Sequence, residues 1–433
     1  MNATNQTGTV APAALSSRTD RSIIVAAALG NGLEFFDFTV YSFFAALIGK
    51  LFFPTDSEFG SLMLSLATFG VGFVVRPLGG IVIGAYADRA GRKPALVLTV
   101  LMMALGTGVI GLAPTYASIG YAAPALIVCG RLLQGFSAGG EVGAATTLLM
   151  ESASKGQRNS LVSWQIASQG GALLAGALVA TTLSRTLSHD ALLSWGWRVP
   201  FLIGLLIGPL GFYLRSHLDD TLPAAQATAA HAPSASPQQR PRLPVRQIVA
   251  GTMMVVGGTS SMYTIAFFMP SFLTLTLGMP SAISSLAAGM AGAVLLIGSP
   301  IGGRIADRVR SRKNFLYTLS IVSLLLLLPA FYVIRAWPSI GTVLAVVAVL
   351  TGIMSLSSPA GFVLMLEALR PEGRATSLGI IYALGVTVFG GFAQLIVSAL
   401  WKMSGSFYAP AWYVLACGFV SFAGLMLFPE CEK

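Results

Sequence analysis

The stretch "GAYADRAGRK", residues 84 to 93, returns in altered form as "GRIADRVRSRK", residues 303 to 313. Each copy has a glycine, an Asp-Arg pair four residues later and a basic pair beyond it. The two aspartates, Asp88 and Asp307, are 219 positions apart. The second copy has one extra residue before its basic pair and lacks the internal glycine. A charged motif repeated at this distance indicates a duplicated architecture.

A second pair of charged residues repeats at almost the same distance. Glu151 is followed by Arg158, and Glu367 by Arg374, with a spacing of seven residues in both cases. The two glutamates are 216 positions apart. The segment between the two predicted halves, residues 217–244, is rich in Pro, Ala and Ser, as is typical of a flexible linker. We therefore predict two halves, residues 1–215 and 246–433, joined by a linker at 216–245.

The composition indicates a membrane protein. The chain has 433 residues, of which 55% are hydrophobic and 10% charged, and its mean hydropathy is +0.77. Soluble domains have about 25% charged residues, and one membrane-spanning helix needs about 20 apolar residues. We predict an all-α membrane protein with twelve transmembrane helices, six in each half. The predicted spans are 22–49, 59–86, 95–113, 121–150, 160–187, 197–214, 247–276, 281–305, 314–334, 339–366, 375–400 and 410–428.

The net charge of +10 is distributed unevenly across the predicted membrane. Of the 26 Lys and Arg residues, 19 fall on the side of the two termini, five on the other side and two within spans. This bias follows the positive-inside rule. It predicts a multi-pass protein of the cell inner membrane with both termini in the cytoplasm. The basicity therefore reflects topology, and we expect no nucleic-acid partner.

Metal, cofactor and nucleotide sites are not indicated. The three cysteines, Cys129, Cys417 and Cys431, form no ligand motif. There is no P-loop sequence, so direct ATP hydrolysis is not expected, and no nucleophile motif suggests an enzyme. We expect the lipid bilayer and a small-molecule substrate as partners, a monomer as the oligomeric state, and a proton as the coupling ion.

Five charged residues lie well inside predicted spans, all in the first half: Glu34, Asp37, Arg76, Arg131 and Glu141. An ionised side chain at the bilayer centre costs about 2.5–3.5 kcal/mol on insertion scales, so such residues tend to be paired or functional. Burial of a carboxylate favours its protonated form, and a nearby arginine favours its ionised form. Glu34, Asp37 and Glu141 are therefore candidate proton-coupling residues. Arg76 and Arg131 are the candidate carboxylate ligands, because arginine binds carboxylates through two parallel hydrogen bonds.

The positions of these charges along the predicted helices allow two pairings. Asp37 can approach Arg131, and Glu34 or Glu141 can approach Arg76. In the fourth span, Arg131, Gln134, Ala138 and Glu141 share one helix face, and we expect this polar face to line a cavity.

Uncharged polar residues extend the candidate substrate site. In the fifth span, "SWQIASQGG" from Ser163 places Gln165 and Gln169 on one helix face. Asn31 precedes the two acids of the first span, in "GNGLEFFDF". In the seventh span Tyr263 is a candidate ligand, although a tyrosine near a span end is often an interfacial anchor. The span 5 glutamines have an alternative role in holding helices together.

Two six-span halves with this loop motif resemble the major facilitator superfamily. The resemblance implies halves that rock around a site near the membrane midplane. It also implies a conformational latch at the loop motifs, in which an acid binds a helix N-terminus or an arginine and stabilises one closed state. Topological anchoring by basic residues is the simpler alternative. The latch residues would be Asp88, Arg89, Arg92, Asp307 and Arg308.

Four first-half stretches narrow the resemblance to the metabolite:proton symporter branch: "GNGLEFFDF" (30–38), "SEFGSLMLSLATFGVGFVVRPLGG" (57–80), "AAPALIVCGRLLQGFSAGGEVG" (122–143) and "WGWRVPF" (195–201). Within this branch, the span 2 stretch, "APALIV", "SWQIASQ" and "LSHDALLSWGWR" are most similar to bacterial citrate or tricarballylate:proton symporters. The second half departs from the pattern at "EALRPEGR", where Pro371 is four residues after Glu367. The resemblance implies proton-coupled uptake of an organic acid, most simply citrate. Symport of 2-oxoglutarate, shikimate, proline or betaine, or a drug or metabolite antiport, remains open.

Overall fold

The computed structural model describes residues 17–90, 92–154, 156–216, 245–370 and 374–429. The predicted linker and both chain ends lie almost entirely outside these residues. So do the side chains of Asp88, Arg89 and Arg92, and their proposed latch role stays a prediction.

The described residues form helices and connecting turns. The first half contains α1 Ser17–Phe43, α2 Ala45–Phe52, α3 Glu58–Val74, α4 Arg76–Ala90, α5 Arg92–Leu112, α6 Tyr116–Ile119, α7 Ala122–Ser152, α8 Arg158–Thr186, α9 His189–Ser194 and α10 Val199–Ser216. The second half contains α11 Val245–Ser261, α12 Met269–Leu277, α13 Ser281–Arg308, α14 Arg312–Ala336, α15 Ile340–Ala368, α16 Arg374–Val386, α17 Ala393–Ser404 and α18 Ala409–Leu427. Two π-helical segments, Met262–Phe268 and Thr387–Gly391, connect α11 to α12 and α16 to α17.

These helices form twelve spans, some straight and some kinked, which we call rods. This arrangement confirms the predicted all-α fold with six spans in each half. The rods that contain more than one helix are α1–α2, α3–α4, α11–α12 and α16–α17. Within the described ranges, nine helices meet the length and hydropathy of a membrane span on their own. The helices Gly30–Phe43 and Ala45–Phe52 meet it as a pair bent by 68°.

Glycines let the charged first-half rods pack closely. A Cβ added to Gly135 of α7 would lie 1.6 Å from the carbonyl oxygen of Gly72 in α3. One added to Gly139 would lie 2.0 Å from the carbonyl oxygen of Arg76. Backbones this close require small residues at the crossing, as in many membrane helix pairs. This packing fixes the start of α4, and with it Arg76, against α7.

The two halves meet along α8 and α13. A Cβ on Gly170 would approach the backbone nitrogen of Leu296 to 2.5 Å, and one on Gly292 would approach that of Leu174 to the same distance. Each of the two helices therefore contributes a glycine to the crossing. It brings α8, which carries Gln165 and Gln169, to the boundary between the halves.

Candidate functional site

The loops after α7, α13 and α15 meet at one face of the bundle, which we call the basic face. There the carboxylate of Asp307, at the end of α13, binds the first turn of α8 in the other half. Oδ1 accepts from the backbone N–H of Asn159 (3.0 Å) and from its Nδ2 (2.9 Å). Oδ2 accepts from the backbone N–H of Ser160 (3.0 Å) and from its Oγ (2.5 Å). A carboxylate at a helix N-terminus also interacts favourably with the helix dipole, which is the arrangement expected of a latch. Arg308, predicted beside it, has an exposed side chain.

Ion pairs reinforce this closure of the basic face. Arg158 Nη1 of the first half donates to Glu367 Oε1 of the second half (2.9 Å), and Arg312 donates to Glu367 Oε2. Arg374 Nη1 of the second half lies 3.2 Å from Glu151 Oε1 of the first. The glutamates and arginines that repeat in the sequence therefore pair across the two halves.

We expect Asp307→Asn to slow uptake about tenfold while equilibrium substrate binding changes less than about twofold. The amide lacks the charge and one of the two acceptor oxygens. The lost helix-terminus interaction is worth roughly 1–2 kcal/mol, and 1.4 kcal/mol changes a population tenfold. Arg308→Gln, at the same helix end but exposed, is the matched control and should transport normally. Normal uptake by Asp307→Asn would leave this motif with only a topological role.

The opposite face is also closed by contacts between the halves. Gln394 Nε2 of α17 donates to Ser42 Oγ of α1 (2.8 Å). The ammonium of Lys402 lies 5.4 Å from the ring centre of Phe59 at the start of α3. Contacts between the halves therefore lie on both faces, and the charged side chains inside the first half are at most 2% exposed.

Asp37 of α1 lies in a polar cluster inside the first half and is fully buried. The hydroxyl of Thr107 in α5 donates to its Oδ2. Gln134 Nε2 of α7 donates to the same oxygen (3.0 Å). Because Gln134 Oε1 accepts from Arg131 Nη1 (2.9 Å), the amide links the carboxylate to the guanidinium. Asp37 therefore meets Arg131 through Gln134, not by the direct approach that the sequence suggested.

Arg131 keeps one complete edge of its guanidinium available. Its carbon Cζ lies 3.6 Å from the ring centre of Tyr41, a cation–π contact. Only Nη1 has a hydrogen-bond acceptor; Nε and Nη2 have none within the described residues. Nε and Nη2 form the edge that binds a carboxylate with two parallel hydrogen bonds. A buried cation with an unused fork is a specific place for an anionic ligand.

Arg76 forms a buried ion pair with Glu34, as the sequence allowed. Arg76 Nη2 lies 2.8 Å from Glu34 Oε1, and both side chains are at most 1% exposed. Its guanidinium carbon lies 4.0 Å from the ring centre of Phe73. Nε and Nη1 have no acceptor among the described residues, but they do not share one edge. Arg76 is thus prepared for single hydrogen bonds more than for a bidentate carboxylate.

Glu141 is buried in α7, with 2% of its side chain exposed. The polar face of α7 that carries Arg131, Gln134 and Glu141 therefore does not line an open cavity, contrary to what the sequence suggested. This face packs inside the first half, where Gln134 contacts α1 and α5.

An aromatic layer covers the arginines at the boundary between the halves. Phe38 and Phe73 pack together with ring centres 5.3 Å apart, and the ring of Tyr263 meets Phe73 edge-on at 5.5 Å. Tyr263 stacks on Phe267 at 5.0 Å within the π-helical segment. It is therefore a buried central residue and not an interfacial anchor. Its hydroxyl has no hydrogen-bond partner in the part of the chain that the structure describes.

Two buried amides lie where α1 meets α8. Asn31 Nδ2 donates to the backbone oxygen of Gln165 (2.8 Å) and to Ser168 Oγ (2.7 Å). Asn31 Oδ1 and both side-chain polar atoms of Gln165 have no partner within the described ranges. An unpartnered buried amide costs free energy, so this site is prepared for a polar group that arrives with a ligand.

A cavity of about 210 Å³ lies mainly in the second half. Gln169, Tyr263 and Tyr382 line the part nearest the first half, together with Phe35 and Ile166. The predicted substrate residues are thus divided. Gln169 and Tyr263 line the cavity, and Asn31, Arg76, Arg131 and Gln165 do not.

The site contains residues that the sequence analysis missed. Thr107 has no charged or motif neighbour in "MALGTGVIG", and Tyr382 lies in an apolar stretch of α16. Gln134 was noted on the polar face of α7, but without its bridging role. The sequence gives no distance between helices, and these residues become significant only through contacts between them.

Comparison with known proteins agrees with this architecture. Residues 27–385 match the sequence model of the Major Facilitator Superfamily. The chain is 37% identical to a citrate-proton symporter of Salmonella typhi over 93% of both chains. It is 36% identical to a citrate-proton symporter of Klebsiella pneumoniae over 92% of this chain and 88% of that one. An alpha-ketoglutarate permease of Escherichia coli strain K12 is 32% identical over 95% of each chain.

Among solved structures, a D-xylose-proton symporter superposes with a TM-score of 0.74 at 20% identity, over 95% of this chain and 98% of the other. A partially occluded inward-open xylose transporter of Escherichia coli reaches 0.77 at 16% identity, over 96% and 99% of the two chains. At these identities the likeness concerns the fold alone.

Proposed function

The chain belongs to the Major Facilitator Superfamily, and we propose that it is a symporter that takes up a tricarboxylate, most simply citrate, together with protons. We further propose that it works in the cell inner membrane with both termini in the cytoplasm, as the distribution of Lys and Arg predicts. The names of the relatives that are more than a third identical favour citrate. The feature of this chain that carries the proposal is Arg131, whose buried carboxylate-binding edge has no partner in the described structure.

Proton coupling is supported by the position of Asp37. A fully buried carboxylate that is linked to a cation through one amide responds to whatever that cation binds. A substrate carboxylate on Arg131 would compete for its positive charge and favour protonation of Asp37. In this mechanism substrate and proton bind together. Glu34 and Glu141 are the alternative proton carriers.

Alternating access follows from the contacts between the halves. The Asp307, Glu367 and Glu151 contacts close the basic face, and the contacts of Gln394 and Lys402 close the other. Release of either set would open the central site to one side, as in transporters whose halves rock around a midplane site. For substrate to reach Arg131, the aromatic layer around Phe38, Phe73 and Tyr263 must then part.

A second candidate is a zwitterionic or dicarboxylate substrate. Relatives near 31–32% identity include an alpha-ketoglutarate permease and proline/betaine transporters. The two proposals differ in the number of negative charges to be bound. Binding to the purified protein should therefore be measured with citrate, tricarballylate, 2-oxoglutarate and proline. We expect both tricarboxylates to bind at least about tenfold tighter than proline. Preferential binding of proline would transfer the assignment to the second candidate.

The buried amides predict a further selectivity. We expect Gln165→Leu to weaken citrate binding about tenfold or more and tricarballylate binding less than about twofold. Tricarballylate has the same three carboxylates but lacks the hydroxyl, and a site built to hydrogen-bond a hydroxyl discriminates strongly against its absence. Thr181→Val is the matched control, because it removes a hydroxyl of α8 that is also buried and without a partner among the described residues, about 24 Å along the helix. Equal losses of affinity for citrate and tricarballylate would indicate that Gln165 contributes to helix packing only.

A further inference from the structure

The hydroxyl of Thr107 contacts more acceptors than it can serve at once. Its oxygen Oγ1 is hydrogen-bonded to Asp37 Oδ2 and lies 3.0 Å from the backbone oxygen of Met103. It also lies 3.0 Å from Gln134 Nε2. Thr107 itself is 1% exposed. Three polar groups therefore surround one buried hydroxyl.

Counting hydrogens shows that two arrangements satisfy the bonds around Asp37 Oδ2, while Oδ1 has no partner among the described residues. The amide nitrogen of Gln134 has two hydrogens, one for Asp37 Oδ2 and one for Thr107 Oγ1. Thr107 then has one hydrogen to donate and one lone pair left to accept. Its possible acceptors are Asp37 Oδ2 and the oxygen of Met103, and it can serve only one at a time.

The choice between these acceptors depends on the proton of Asp37. When Asp37 is ionised, the Thr107 hydrogen belongs on Oδ2. When Oδ2 carries the proton, its new O–H bond donates to the lone pair of Thr107 Oγ1, and the Thr107 hydrogen turns to Met103. The proton is the only group gained or lost, and no heavy atom has to move.

We propose that Thr107 is a positioning residue for the proton site: its hydroxyl turns between Met103 and Asp37 as the carboxyl gains and loses the transported proton. This inference rests on the proposed proton symport. Without the hydroxyl, the ionised carboxylate would lose one of its two donors, and the protonated carboxyl would lose its acceptor. The first loss is the larger, because hydrogen bonds to ionised groups are roughly twice as strong as neutral ones. Thr107 therefore keeps both states accessible in a buried site, which a reversible proton carrier requires.

The other groups that face Asp37 cannot substitute for this hydroxyl. Gln134 donates in both states, and Arg131 acts through Gln134. On the helix of Asp37, Tyr41 is bonded to the backbone oxygen of Ser65, and Glu34 pairs with Arg76. Helix α10 presents Gly204, where an added Cβ would lie 2.8 Å from Asp37 Oδ1.

The test compares Thr107→Val with Thr107→Ser in proteoliposomes. Valine keeps the shape and removes the hydroxyl, while serine keeps the hydroxyl. Net citrate uptake is measured as the internal pH is varied at fixed external pH, because uptake requires release of the proton to the inside. We expect Thr107→Val to raise the internal pH at which citrate uptake is half-maximal by about one to two units, because the ionised carboxylate loses one of its two donors. Thr107→Ser should keep the wild-type profile, and citrate exchange, which needs no net proton release, should stay within about twofold in both.

The outcomes separate this inference from the proposed function. Absence of proton-coupled uptake in the wild type would refute the symport proposal itself. A coupled wild type with an unshifted Thr107→Val profile would overturn the role of the hydroxyl. Equal shifts in the valine and serine variants would also overturn it, since packing would then be the cause. If Thr107→Val fails to insert, Thr107→Cys replaces it, and its weaker thiol donor should give a smaller shift in the same direction.

Discussion

Asp37→Asn is expected to abolish proton-driven accumulation of citrate while citrate exchange continues. Asparagine keeps an oxygen that accepts from Thr107 and Gln134, so the cluster retains its geometry. The asparagine side chain cannot take up a proton, so the variant resembles a carrier that stays permanently in one protonation state. Internal citrate should then rise no higher than the external concentration in acid-outside vesicles. Exchange of labelled for unlabelled citrate should remain within about threefold of the wild-type rate.

Glu141→Gln is the matched control, because it neutralises another buried acid of the same half. We expect it to retain accumulation above equilibrium. If Asp37→Asn instead accumulates citrate normally, Asp37 is a structural residue. The coupling role then passes to Glu34 or to Glu141, and the comparison of all three amide variants identifies which.

Arg131→Gln is expected to weaken citrate binding by at least about 100-fold. The change removes the only guanidinium whose Nε–Nη2 edge is buried and unused in the described structure. A buried anion without a bidentate donor loses several kcal/mol, and 1.4 kcal/mol corresponds to tenfold in affinity. Isothermal titration of the purified variant with citrate measures the loss directly.

Arg131→Lys separates charge from geometry. Lysine keeps the cation but presents no planar fork, so we expect an intermediate affinity. Arg76→Gln should be less damaging to binding than Arg131→Gln, since Arg76 has no complete free edge. Wild-type citrate affinity in Arg131→Gln would contradict the assignment of the substrate carboxylate to Arg131.

The architecture was predictable because it depends on features that repeat along the chain. Twelve apolar stretches and two copies of one loop motif define the number of rods and their pairing. Asp307 in the second copy then binds a helix N-terminus of the other half, and its role as a latch stays a prediction. The kinks were not predicted: the bend after Phe43 and the two π-helical segments arise from packing between rods, which no local pattern specifies.

The charged members of the candidate site were the easiest to predict. Glu34, Asp37, Arg76 and Arg131 stand out because a charge inside a membrane span is costly. Sequence distance along the helices also allowed Glu34 to pair with Arg76, which the structure contains. Gln134, Thr107 and Tyr382 are ordinary residues in their own helices. They acquire their significance from neighbours on other helices, and the direct Asp37–Arg131 contact is replaced by a bridge for the same reason.

The central claim is that substrate and protons move together in the same direction. The most direct measurement uses proteoliposomes that contain a pH-sensitive dye, with equal pH on both sides and the membrane potential clamped to zero. Addition of external citrate should acidify the interior, because citrate moving down its gradient carries protons inward. Asp37→Asn should abolish the acidification. An interior that stays at constant pH while labelled citrate enters, or one that becomes alkaline, would contradict proton symport.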